Sequence, residues 1–347
     1  MAALAILFEG CSGGGSVQPA PPPPLALLPG GTPTPPPANT PSPDPTVLGA
    51  AAMYHGCQVF PSGDYFNADV STAAVDPASA GLFSHLPNLT AGNFPSIRYF
   101  QVNLATASTP VVALDFKHIG GYFPGITSVP WSAGFYISPL GDGHAVVVNT
   151  SNCMEYDYYQ TSFSHGDLAA VGGRRWDLKQ PMSAQFAPAW HTWGAVASDL
   201  PYMDLMLTGE DATGPSPIAH AIGFYFPTRQ GVSPFGYFRP ADAGTVMGVC
   251  AARPCLAYGD HLRLKASYVC PPSSQANRIC KALKTYGMFY YDQANSFGFL
   301  FGASANGTYP WSGSDVDRLL DNLQIDRDFE LLKRPALLCA PGHACSA

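Results

Sequence analysis

The residues best equipped for chemistry lie in two neighbouring stretches, His144-Ala145-Val146-Val147-Val148 and Cys153-Met154-Glu155-Tyr156-Asp157-Tyr158-Tyr159. The polar turn Asn149-Thr150-Ser151-Asn152 separates them, so the pair predicts an antiparallel hairpin. A turn centred on Thr150/Ser151 sets His144 opposite Asp157 and Val146 opposite Glu155. Directly opposed residues share a face, with Cβ atoms ~5 Å apart. His144, Glu155 and Asp157 then form one cluster, and a histidine beside two carboxylates can act as an acid/base unit or be held in one tautomer by them. A solvated polar strand face is the plainer alternative.

Further along, Trp176-Asp177 follows the basic pair Arg174-Arg175. An aromatic ring beside a carboxylate suits a sugar, because the ring face stacks while the carboxylate handles hydroxyls or protons. Glycoside hydrolysis needs two carboxyl groups, ~5–5.5 Å apart for retention or ~6.5–9.5 Å for inversion. Glu155 and Asp177 are the expected pair, with Asp157 in reserve and His144 and His220 supporting. His191 and Trp193, in Trp190-His191-Thr192-Trp193, can border a ligand groove. Arg263 and Lys265 alternate with Leu262 and Leu264 and can meet an anionic ligand such as a uronic acid, or carboxylates on a neighbouring strand. No GxSxG elbow, HExxH helix or GxxxxGK[ST] loop is present. The sequence therefore points to no cofactor and no metal.

The elements that must position these residues are strands. Charged residues are 12% of the chain, about half the usual ~25%. With 35 Gly and 35 Pro among 347 residues, that composition suits short strands and ordered turns rather than long surface helices. Strands are expected over 97–104, 111–116, 134–137, 144–148, 153–159, 220–226 and 261–268. Helices are expected over 274–286, stopped by Gly287, and over 314–323, with Ser at its cap and Asp315 and Asp317 in its first turn. The fold class is all-β or β-rich α+β: sandwich or barrel-like antiparallel sheets with two short C-terminal helices.

Nine cysteines divide into Cys11 and an even set of eight. Eight fit four disulfides in an oxidising compartment. Cys250 with Cys255 and Cys339 with Cys345 are plausible local pairs, and Cys57–Cys153 and Cys270–Cys280 would complete the set. Sequence alone leaves the connectivity open. Residues 2–8 are a short apolar stretch before Gly10-Cys11, a lipobox-like segment that makes Cys11 the candidate lipidation site. Residues 12–50 are Gly/Ser-rich and then Pro-rich, with 13 prolines between 17 and 45. About 30 residues of polyproline II at ~3.1 Å each span up to ~90 Å. A single globular domain is expected over 51–347, outside the cell or at its surface. The net charge of −7 and the lack of a basic patch argue against nucleic acid as a partner. The oligomeric state is not legible.

Several islands resemble a widespread family of exported, mostly uncharacterised bacterial proteins. They include Phe60-Pro61 through Asn67-Ala68-Asp69-Val70-Ser71, Val75-Asp76-Pro77, Asp142-Gly143-His144-Ala145, Trp176-Asp177-Leu178, His220-Ala221-Ile222, Arg263-Leu264-Lys265-Ala266-Ser267 and Leu283-Lys284-Thr285-Tyr286-Gly287-Met288. Phe66 stands where that family usually has Trp, and the segment around Cys250–Cys255 is atypical. The resemblance implies export and one continuous domain, and it carries no catalytic residues. The expected function is an exported carbohydrate-active protein, a glycoside hydrolase acting on extracellular polysaccharide through a carboxylate pair. The alternative is a noncatalytic carbohydrate-binding or cell-surface structural module. A polyester or peptide hydrolase is a third class, without a visible nucleophile.

Overall fold

The computed structural model describes residues 52–91, 100–116, 123, 125–139, 142–187, 194–251, 253–272 and 274–347. The lipobox-like segment and the Pro-rich stretch lie outside these, as do His191 and Trp193.

The chain is β-rich, with sheets stacked in sandwich fashion. One sheet of four strands, β1 (Val102–Ala105), β2 (Ala145–Asn149), β3 (Met154–Tyr159) and β4 (Gly172–Asp177), runs in the order β4-β3-β2-β1. A second sheet of five strands, β5 (Ile222–Phe226), β6 (His261–Leu264), β7 (Met288–Gln293), β8 (Gly298–Phe299) and β9 (Phe329–Leu331), runs in the order β8-β5-β7-β6-β9. Both sheets are mixed rather than purely antiparallel. β1 pairs with β2 and β5 with β7 in parallel, because long crossovers join them.

Period-two alternation gives the first sheet two buried faces. Ala145, Val147, Tyr156 and Tyr158 point into a small aromatic core with Trp131 and Leu168. That core is roofed by a four-stranded sheet built from Ser128–Pro130, Val111–Phe116, Asp167–Ala170 and Ser162–Ser164. Val146, Val148 and Trp176 point the other way, into the main core shared with the five-stranded sheet. Glu155 and Asp157 belong to this second face, by register with Val148 and Val146.

The expected helices are present as α1 (Ser274–Thr285) and α2 (Gly313–Leu320). Ala276, Ile279, Cys280 and Leu283 of α1 are buried on one face. Gly287 sits at φ +72° and its N–H returns to Ala282 O, the left-handed stop that only glycine adopts at little cost. The N-cap of α2 is Ser312 rather than Ser314. Three further short helices, Ser79–His85, Gly209–Thr213 and Ile325–Asp328, fell below what periodicity reveals. The strand expected over 134–137 is a turn and irregular chain.

The disulfides are Cys57–Cys153, Cys250–Cys255, Cys270–Cys280 and Cys339–Cys345, and four such bridges fit an oxidising environment. Among the described residues no helix is long and apolar enough to cross a membrane.

Candidate functional site

The expected hairpin forms, but its register differs by two residues. Val146 pairs with Asp157 and Val148 with Glu155, so His144 falls opposite Tyr159. The cause is Cys153, which sits at φ +58° and returns its N–H to Asn149 O. It belongs to the turn, not to the strand. An even shift leaves every side chain on its expected face. His144, Glu155 and Asp157 therefore do share one side of the sheet.

That side is sealed. Glu155 and Asp157 are 0% exposed. The short helical turn Met203–Leu205 brings a third acid, Asp204, to them at 1% exposure. Met203 N–H donates to Glu155 Oε1 at 2.9 Å, and Tyr202 N–H donates to Asp157 Oδ2 at 3.0 Å. Trp176 Nε1–H donates to the same Asp157 oxygen at 2.9 Å. Among the described residues, Glu155 Oε2, Asp157 Oδ1 and both Asp204 oxygens receive no donor. Glu155 lies within hydrogen-bonding reach of both Asp157 and Asp204. Carboxyl oxygens that face one another need protons between them. Burial and the neighbouring negative charges push all three well above the carboxylate range, Glu155 by burial first and then by Asp204, Asp157 by burial first and then by Glu155.

Arg174, adjacent on β4, does not neutralise this trio. Its guanidinium is committed to Asp199 and to Asp242, the latter at 2.6 Å, and stacks 3.9 Å above the Trp176 ring. Arg239 also pairs with Asp242. Buried Arg174, half-buried Arg239 and two buried aspartates thus balance beside the carboxyl trio, which has no basic partner among them.

The pair expected from sequence, Glu155 with Asp177, is not a pair. On β4 it is Trp176 that lies opposite Glu155, while Asp177 lies opposite Met154 on the other face. Asp177 caps a turn: its Oδ1 accepts from Lys179 N–H, and its own N–H donates to Gln185 Oε1. Trp176 is 0% exposed, with one face under Arg174, so it is no sugar platform. Arg263 is buried as well. It binds Glu330 across β6 and β9 and donates to the carbonyls of Val70 and Ala73, the neighbouring-strand carboxylate alternative. Lys265 follows β6 and donates to Arg327 O. His220 is held at both ring nitrogens, Nδ1 to Ala221 O at 2.8 Å and Nε2 to Asp211 Oδ2 at 3.4 Å. Burial opposes its charge, but Asp211 outweighs it and its pKa is raised. His220 is a structural residue held by Asp211, which also closes the capping box of the Gly209–Thr213 helix through Thr208.

What the structure brings together near solvent is a different group. The His144 ring packs against Phe100, Tyr159 and Tyr202, with centroids 5.9, 5.4 and 5.1 Å away. Tyr202 meets Tyr291 edge-on at 6.2 Å. Asp292 follows Tyr291 near the end of β7, half-buried, and accepts N–H donors from Gln293 at 2.8 Å and Ala197 at 3.4 Å. Burial raises its carboxyl to about 7, the two N–H donors oppose that, and the charge of Asp142 adds to it. Asp142 is exposed, and its field acts on His144 and Tyr159 as well as on Asp292. Burial lowers His144 to about 4, so the imidazole is neutral at physiological pH. Asp142, Asp292, His144 and Tyr159 are thus electrostatic neighbours at one rim, with the half-buried rings of Phe100 and Tyr159 beside them. No group of His, Cys, Asp and Glu among the described residues has the geometry to hold a metal ion.

Sequence reasoning missed Asp204 and Asp292. Asp204 had a signal: it is a lone acid inside the buried run from Leu200 to Leu207, where an unpaired charge cannot stay. Asp292 had none, because its neighbours come from segments 95 and 150 residues away. Comparison of the chain with models of known protein families, with curated proteins and with solved structures finds no match in any of the three.

Proposed function

We propose that the protein is an exported carbohydrate-active enzyme, a glycoside hydrolase whose acid is Asp292 and whose second carboxylate is Asp142. One observation carries the reading: Asp292 is a half-buried carboxyl within the field of the exposed Asp142, and both acids act on Tyr159, whose ring packs against His144. A carboxyl that keeps its proton near neutrality can protonate a glycosidic oxygen, while an ionised partner serves as nucleophile or activates water. The half-buried rings offer stacking faces for sugars. Export and lipid anchoring at Cys11 belong to the same proposal, supported by the four disulfides and the lipobox-like start.

The test is reducing-sugar release from a panel of bacterial and plant polysaccharides, with binding followed in parallel by affinity electrophoresis. Asp292→Asn and Asp142→Asn should each lower turnover by about 100-fold or more while leaving binding in place. Normal turnover in both variants overturns the assignment. A wild type that binds glycans without cleaving any turns the rim into a noncatalytic binding module.

A further inference from the structure

A groove of about 340 Å³ lies away from these residues, between the segment 215–218 and α1. Pro215, Pro217 and Ile218 form one wall, and Ala282 and Tyr286 line the side of the helix. Prolines at two of these positions fix the wall in advance, so a ligand need not pay to order it. Arg278 and Lys281 enter the groove from α1, three residues apart and therefore on one helical face.

The charges of these two residues are unbalanced. Arg278 donates through Nη1 to Gly214 O and through Nη2 to Ser216 O, which pins the loop to the helix. Carbonyls satisfy those hydrogens but do not cancel the charge. Its Nε is buried and has no hydrogen-bond partner among the described residues. Lys281 is exposed. Among the described residues neither cation forms an ion pair. Asp69 is a carboxylate felt at this groove, and it acts on the Tyr286 hydroxyl. Eight residues of helical rise set Tyr286 about 12 Å from Arg278 along the axis. One end of the groove is therefore positive, in a chain whose net charge is −7.

We infer that this groove binds the anionic group of an acidic glycan, a sugar carboxylate of the uronic acid type, with Arg278 and Lys281 facing the charge and the Pro and Tyr rings facing the sugar. The inference rests on the carbohydrate reading above and narrows it to acidic polysaccharide. The anionic-ligand role expected of Arg263 and Lys265 falls instead to two cations that form no ion pair among the described residues.

The experiment is calorimetric titration of the whole protein with tetragalacturonic acid, a sulfated tetrasaccharide and neutral cellotetraose. Tetragalacturonic acid should bind more tightly than cellotetraose, and its affinity should fall with added salt. Lys281→Ala should weaken it by about fivefold, the scale of one solvent-exposed ion pair, and Lys281→Arg should restore it. Lys281 is exposed and forms no side-chain hydrogen bond or ion pair among the described residues, so these variants keep the fold. Equal binding of the sulfated sugar keeps the anionic site and widens its class. Equal affinity for the neutral and uronate sugars, or no effect of Lys281→Ala, overturns it. The variant Asp292→Asn should bind tetragalacturonic acid as the wild type does. Lys281-dependent binding by a protein without turnover upholds this inference while sinking the hydrolytic one.

Discussion

The carboxyl groups of Glu155 and Asp204 face each other inside the main core within hydrogen-bonding reach, and among the described residues neither forms an ion pair. Asp157 completes the trio and accepts from Tyr202 N–H and Trp176 Nε1–H, while Met203 N–H donates to Glu155. Three donors cannot neutralise three carboxylates. The native state instead retains protons that the unfolded chain releases near pH 4.

Stability should therefore fall as pH rises. Each of these groups has its folded pKa raised above the unfolded value, so its contribution is complete below about pH 4 and is lost as pH climbs through the folded value. His220, raised by Asp211, adds to the same trend. His144 and His261, both held neutral down to about 4, oppose it between pH 6.5 and 4. Glu155→Gln keeps the acceptor for Met203 N–H and supplies donors to the facing carboxylates. At pH 8 the variant should melt about 2–4 °C above the wild type, a gain of about 1 kcal/mol, with little difference at pH 5. A lower melting temperature at both pH values would mean that the trio is not proton-linked.

Trp176 offers a second check on what the carboxyls do. Trp176→Phe deletes the Nε1–H donor to a buried oxygen and thins the contact with Arg174. Loss of a hydrogen bond to a buried polar group costs about 1–3 kcal/mol. Denaturant unfolding should show that loss while glycan binding stays unchanged. Reduced binding with unchanged stability would return Trp176 to the role of sugar platform.

The strands were legible where alternation and turn chemistry agree: Val111–Phe116 appears at its expected bounds, and the β2–β3 hairpin has its faces right and its register two residues off. A left-handed Cys153, tied to Cys57, lengthens the turn in a way that Asn149-Thr150-Ser151-Asn152 does not announce. The two local disulfides follow from spacing, since a short loop brings its own ends together. Face assignment failed between strands. Asp177 follows Trp176 in sequence, but whether it meets Glu155 depends on the β3–β4 register, which no local pattern encodes. The same holds for Asp204 and Asp292, whose environments exist only after remote segments pack.

The disulfides should differ in weight. Cys57–Cys153 spans 96 residues, whereas Cys250–Cys255 spans 5. On the chain-entropy argument, closing about 100 residues contributes about 4.7 kcal/mol and closing about 5 contributes about 2. A Cys57→Ser/Cys153→Ser double variant should lose roughly twice as much unfolding free energy in guanidinium as Cys250→Ser/Cys255→Ser. Equal losses would assign the stabilisation to native packing around each bridge rather than to loop closure.

The last test bears on Asp292. A general acid works only while it holds its proton, so turnover should be full below its pKa and fall as pH rises through about 7. Asp142 sets part of that value, because its negative charge disfavours ionisation of Asp292. Removing the charge with Asp142→Asn should shift the alkaline limb to lower pH, apart from any loss of rate. That shift is read on a natural glycan, whose leaving group needs the proton, whereas an aryl glycoside with a good leaving group, which needs little protonation, is the substrate for Asp292→Asn. With that substrate Asp292→Asn should recover much of its rate and lose the alkaline limb altogether. An alkaline limb that persists in Asp292→Asn would place the acid elsewhere.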